Sequence, residues 1–214
     1  MLGIQGLPIV FAALLGAGDD PETARDCVIR GAQRFRDHQI SAALSDFDRA
    51  VRLEPSSEPY LWQRGICHYY AGKYEMGRKQ FELHKTVNPH DVENAAWHFL
   101  CAARSQGTEK ARRLLIKIDV KRDPRVPMEQ IYALYKGTGS ADQVLAAARE
   151  ADTETARMYA NLYLGLYYEA TGVKDQAREY IQKAARAQLR DNYMHDVARV
   201  HVRQREWDSG TTPE

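Results

Sequence analysis

Apolar and small residues recur at three- and four-residue spacings along most of the chain, in blocks punctuated by glycine and proline. In residues 24–55, Ala43, Phe47 and Ala50 stand 4 and 3 positions apart and so share one stripe of a helix, which Pro55 ends. The helix before it carries Gly31, small enough to let a neighbour approach closely. The pattern returns 34 positions on: Gly65 for Gly31, Gly77 for Ala43, Phe81 for Phe47 and Pro89 for Pro55. Gly72 falls at the turn of this second unit, Tyr74 fills the packing behind it, and His84 stands where alanine is expected. Coincident offsets mark a repeated two-helix unit and predict helix pairs over 24–55, 58–89 and 92–122. The third is looser: Ala111 keeps the small position, but Phe99 stands where Gly31 and Gly65 stood.

Asp123-Pro124 and Pro127 then break the chain. Residues 127–150 read as an irregular helix pair, with Ser140 as an N-cap. Residues 158–189 return to the regular pattern through Gly165, Gly172, Ala177, Ile181 and Ala184. A last helix, 191–206, has a polar face suited to capping an open stack, and 207–214 is a polar tail. No convincing run of strands is present. The expected fold class is all-α: one helical-repeat domain over 19–206, with a C-terminal capping helix.

Composition is ordinary for a soluble domain, at 44% hydrophobic and 28% charged over 214 residues. Lys plus Arg number 30 against 29 Asp plus Glu, a net charge of +1. That balance lacks the electrostatic footprint of a nucleic-acid binder. The basic run "EKARRLLIKIDVKRDPR" (109–125) has interspersed acids and reads as a solvated face. Residues 1–18 are apolar but too short for a comfortable membrane span of about 20 residues. They read either as a cleavable export signal, with small residues at 16–18 near a cut, or as an N-terminal apolar helix packed on the domain. The first places the protein outside the cytoplasm, in the periplasm or cell envelope; the second leaves it cytoplasmic.

Candidate chemistry narrows on inspection. Cys27, Cys67 and Cys101 are odd in number, so no complete set of internal disulfides exists. Cys67 is followed by His68, the residue types of a nucleophile and base. Yet Cys67 and Cys101 are 34 apart, so they hold one repeat position, where a buried cysteine acts as a small hydrophobe. Adjacent residues of a helix do not face each other, which opposes a working Cys-His pair. The seven histidines form no H-E-x-x-H, there is no C-x-x-C, and no phosphate-loop or G-x-S-x-G motif occurs. No catalytic residue, metal site or cofactor is expected.

The stretches "LSDFDRAVRLEP", "HYYAGKYEMGRKQF", "NAAWHFLCAAR", "PMEQIYALYKG" and "YLGLYYEATGVKDQAREYIQKA" together resemble the tetratricopeptide repeat (TPR) family. In their order they are similar to the NlpI-type bacterial lipoproteins, over roughly residues 24–203. The resemblance implies a TPR-like right-handed superhelix of antiparallel helix pairs. It implies an exported adaptor that dimerises and docks partner proteins, such as envelope hydrolases and proteases, through its concave face. It places Phe35, Arg36, Trp62, Ile66, Tyr69, Tyr70, Leu100 and Arg104 toward that face as the partner-binding groove. Two departures matter. No cysteine stands at the end of the apolar segment, in "LLGAGDD", and Cys27 lies inside the first repeat, so no lipid anchor is evident; and Ala32 and Ile66 stand where some TPR domains carry a carboxylate clamp. The expected function is a non-enzymatic scaffold binding proteins or peptides. The competing readings are a cysteine- or histidine-dependent hydrolase on a helical solenoid and a structural oligomer without a client groove.

Overall fold

A computed structural model describes residues 23–207, so the apolar segment 1–18 and the tail beyond Trp207 lie outside the described residues. Residues 23–207 form eleven α-helices and no strand. They pack in neighbouring pairs: α1 (Ala24–Arg36) on α2 (Ile40–Leu53), α3 (Trp62–Tyr70) on α4 (Tyr74–His84), and α5 (Val92–Gln106) on α6 (Thr108–Leu114). Next come α7 (Met128–Lys136) on α8 (Ala141–Ala151), α9 (Glu154–Ala170) on α10 (Lys174–Ala185), and a single α11 (Tyr193–Gln204). Among the described residues no helix is long and apolar enough to cross a membrane.

Local sequence explains the boundaries. Thr23, Asp91, Ser140, Thr153 and Asn192 each cap a helix N-terminus by accepting a backbone N–H. Ser140 does so in a full capping box with Gln143. The α3–α4 turn needs Gly72 at φ +73°, the left-handed region that glycine enters without strain.

Each regular pair is held by one interlock. A Cβ on Gly65 would come within 2.7 Å of the Phe81 ring, and one on Gly31 within 3.2 Å of Phe47. In the late pair Ile181 takes the aromatic's part, 2.6 Å from a Cβ on Gly165. Helix separation is thus set by a missing side chain on the first helix and a large one 16 positions later on the second.

Two expectations need correction. The second helix of the third unit stops at Leu114, and 115–127 carries only a short 3₁₀ turn, Val120–Arg122. Ile116, Ile118 and Val120 are β-branched at alternate positions, which lowers helix propensity and suits extended chain. Leu115 and Ile116 bury there. Nor does α11 simply cap the end of the stack: Arg199 and Arg203 are on an exposed polar face, but the rest of the helix is enclosed. Met194, His195, Val197, Ala198, Val200, His201 and Val202 are all buried. The helix lies on α10 and α9 and reaches α1, because its apolar positions span most of its circumference.

The interlock is testable. Gly65→Ala drives a methyl into a ring that is itself 1% exposed and cannot swing away. Urea unfolding should show a loss of about 1–3 kcal/mol. An unchanged midpoint would mean that α3 and α4 do not meet at this glycine.

Candidate functional site

Five of the eight expected groove residues belong to the core. Phe35, Ile66 and Leu100 have no exposure, Tyr69 has 2% and Tyr70 has 8%. The covering elements are the late helices. Tyr193 of α11 stacks on Phe35 at 5.4 Å. The Tyr70 hydroxyl lies 3.1 Å from Nδ1 of buried His201. The Tyr69 hydroxyl donates to Glu169 of α9 at 3.1 Å, and Arg205 donates to the same carboxylate. Arg36 is exposed and donates to Asp196 of α11 at 2.8 Å. Arg104 is exposed and donates to the Tyr74 hydroxyl at 3.1 Å, lying over that ring. Only Trp62 lines an open cleft.

Cys67 and His68 do not form a hydrogen-bonded pair. Both ring nitrogens of His68 lack a partner. Burial, helped by the Arg64 charge, lowers its pKa to about 4. Burial also pushes the Cys67 and Cys101 thiols far up, away from the nucleophilic thiolate. Cys101 Sγ sits 2.8 Å from where a Gly77 Cβ would be, the packing role expected of a small hydrophobe. Among the described residues no three His, Cys, Asp or Glu side chains come together in a way that could hold a metal ion.

The cleft of about 340 Å³ lies where the late helices meet the early ones. Trp62 comes from the start of α3, Phe81 and His84 from α4, and Asp91, Glu93, Asn94 and Trp97 from the first turns of α5. Arg125 enters from the irregular segment, Tyr159 from α9, and 191–194 from the approach to α11. Trp62 meets the Tyr193 ring edge-on at 5.0 Å.

Arg125 organises the floor. Its Nε donates to Asp123 at 2.8 Å, Nη1 donates to Glu93, and Nη2 donates to Asp91 at 2.6 Å and Asp123 at 2.7 Å. Asp123 also accepts from the Val92 backbone N–H at 3.1 Å, and Asp91 caps α5. Four of the five guanidinium N–H groups are thus engaged, and the group stays charged, since its hydrogen bonds and the neighbouring carboxylates outweigh the burial that opposes it. Glu93 is 6% exposed and accepts from the Tyr163 hydroxyl at 2.9 Å. Burial raises its pKa to about 7, although Arg125 pulls the other way. Burial, then the Glu93 charge, raises Tyr159 to about 12.

Four buried polar atoms on lining residues have no partner: Asn94 Oδ1, His84 Nε2, Trp97 Nε1 and the Tyr193 hydroxyl. Asn94 Nδ2 donates to the Phe81 carbonyl at 3.0 Å, which leaves its oxygen as the free end. His84 Nδ1 lies 2.8 Å from the Pro59 carbonyl, so it must be the donor, and in the neutral ring Nε2 is then an acceptor.

Sequence reasoning missed Glu93, Asn94 and Arg125. A signal was there for the first two. "VENAAWHFL" is apolar around its whole circumference apart from these side chains, and a helix of that kind is buried. A buried glutamate needs a cationic or hydrogen-bonding partner. For Arg125 no local signal distinguishes it from its neighbours in a mixed-charge run. No protein-family model matches the sequence.

The raised Glu93 pKa predicts a pH dependence. Between the ordinary 4.5 and about 7 the folded chain keeps a proton that the unfolded chain has released. This group's contribution is therefore complete below 4.5 and is lost as pH rises through 7. Urea unfolding from about pH 5 to about pH 8 should show a fall in stability that Glu93→Gln flattens, by at most about 3 kcal/mol. Equal slopes in the two proteins would show that Glu93 is ionised throughout.

Proposed function

We propose that the chain is a non-enzymatic helical-repeat scaffold of the tetratricopeptide type. In this reading it is a right-handed superhelix of antiparallel helix pairs whose hollow is largely filled by α11, and a segment of a partner protein docks in the cleft that remains. The observation that carries the reading is that cleft: half-buried Trp62 and Tyr193 flank buried polar atoms that no protein group satisfies. Large aromatics around a desolvated polar centre are the usual anchor points of protein interfaces. A volume of about 340 Å³ suits one or two side chains rather than a folded element.

The 34-residue period and the glycine–aromatic interlock support the repeat family. The order of the units supports the likeness to NlpI-type lipoproteins. An exported protein, envelope hydrolases or proteases as clients, and a homodimer follow from that likeness as parts of the same proposal.

A photoreactive amino acid at position 62, used in the native cells, tests it directly. The cross-linked chain, identified by mass spectrometry, should be a different protein, and excess purified scaffold should compete with its capture. Trp62→Ala should then weaken binding of that partner by about 2 kcal/mol or more. Its cost to folding should be far below the roughly 3–5 kcal/mol of Phe81→Ala, which empties a core site. A Trp62→Ala protein that melts as early as Phe81→Ala, or that binds its partner normally, overturns the reading.

A further inference from the structure

The geometry points to a cationic occupant: the cleft receives a lysine or arginine side chain presented by a partner polypeptide. This rests on the scaffold reading above and specifies the chemistry of its client.

Charge is the first argument. Asp91, Glu93 and Asp191 line the cleft, and Asp123 stands behind them, while Arg125 is the one arginine and no lysine is present among the lining residues. Arg125 already gives four of its five N–H groups to Glu93, Asp91 and Asp123, which leaves one on Nη1. Asp91 and Asp123 outnumber the one guanidinium even where Glu93 holds its proton, and exposed Asp191 adds to that negative field at the rim. An anionic guest would be repelled by it.

The unpartnered atoms are the second, independent argument. Asn94 is 3% exposed and His84 is 5% exposed, and each is held at one end by a backbone carbonyl. The free ends are Asn94 Oδ1, an acceptor, and His84 Nε2, an acceptor in the neutral ring. They call for a guest that donates and does not accept, which among side chains describes ammonium and guanidinium. Trp62, Tyr159 and Tyr193 add ring surfaces on which a cation can rest. Trp97 Nε1, an unpartnered donor on a residue 1% exposed, and the unpartnered Tyr193 hydroxyl, which can donate or accept, are the exceptions. A peptide carbonyl next to the basic side chain satisfies the indole N–H, and a free amine does not. That pairing of acceptors with one donor is what selects a polypeptide over a small amine.

The test uses the full chain and synthetic probes. Capped Gly-Lys-Gly is titrated while the indole N–H signals of Trp62, Trp97 and Trp207 are followed by NMR. The controls are its norleucine and glutamate counterparts and n-butylammonium. The lysine peptide should shift Trp62 and Trp97 saturably and leave Trp207 still. The norleucine peptide and butylammonium should each bind about tenfold more weakly or worse, and the glutamate peptide should not bind. Asp191→Asn keeps a residue that tolerates the local φ of +53°. It should weaken the lysine peptide severalfold with an unchanged melting temperature. Equal binding of norleucine, or no shift with lysine, overturns the cationic assignment. Butylammonium binding as well as the peptide assigns the cleft to a small amine and overturns the polypeptide part. The two readings fail separately. A partner cross-linked at position 62 but indifferent to Asp191→Asn and to lysine peptide leaves the scaffold standing without its cation. A cleft that takes the lysine peptide while no partner protein is captured does the reverse.

Discussion

Tyr193 stacks on Phe35 at 5.4 Å and meets the edge of Trp62 at 5.0 Å, and this three-ring contact joins the last helix to the first and second helix pairs. It helps seat α11, which packs on α10 and α9, against α1 as well. The contact buries the face of α3 that a repeat protein would otherwise show to a client. Tyr70 then gains His201, and Arg36 gains Asp196, across the same junction. Offset and edge-on ring pairs add directional preference to ordinary apolar burial, so the packing specifies an angle as well as an area.

Two buried ionic nodes sit on that junction. At one, Arg125 gathers Asp91, Glu93 and Asp123, tying the irregular segment to the start of α5. At the other, Glu169 of α9 accepts from Tyr69 and from Arg205 beyond α11. Burial alone would raise the Glu169 carboxyl; the neighbouring His201 ring and the Arg205 guanidinium outweigh it and hold it below the usual range. Buried charges of this kind add little net stability over apolar packing, and removing one partner strands the rest. Their use is geometric. A guanidinium with all three nitrogens engaged admits one arrangement of the chains around it.

The cleft is what remains when those constraints are met. The late helices come close enough to enclose Glu93, Asn94 and Trp97, yet they leave acceptors on Asn94 and His84 unsatisfied. Each such atom costs about 1–3 kcal/mol when unpartnered. The packed helix pairs supply the enclosure, and the polar first turn of α5 supplies its chemistry.

The helix pairs and most of their boundaries were legible in the sequence, because they arise from contacts within a few tens of residues; the end of α6 was not. Gly65 meets Phe81 one helix later, Pro55 ends α2, and Ser140 caps α8, and each leaves a mark on local spacing. The buried roles of Cys67 and Cys101 followed from their shared repeat position. The site did not follow. Phe35, Tyr69 and Tyr70 carry the residue types of an exposed groove, and only the return of α11 and α9 across more than a hundred positions of chain covers them. Arg125 reads as one charge in a mixed run until Asp91 and Glu93 are brought against it. Periodicity records which face of a helix is apolar; it carries no information about which distant element will cover that face. That choice belongs to the tertiary structure, where ring packing and charge pairing between remote segments are decided together.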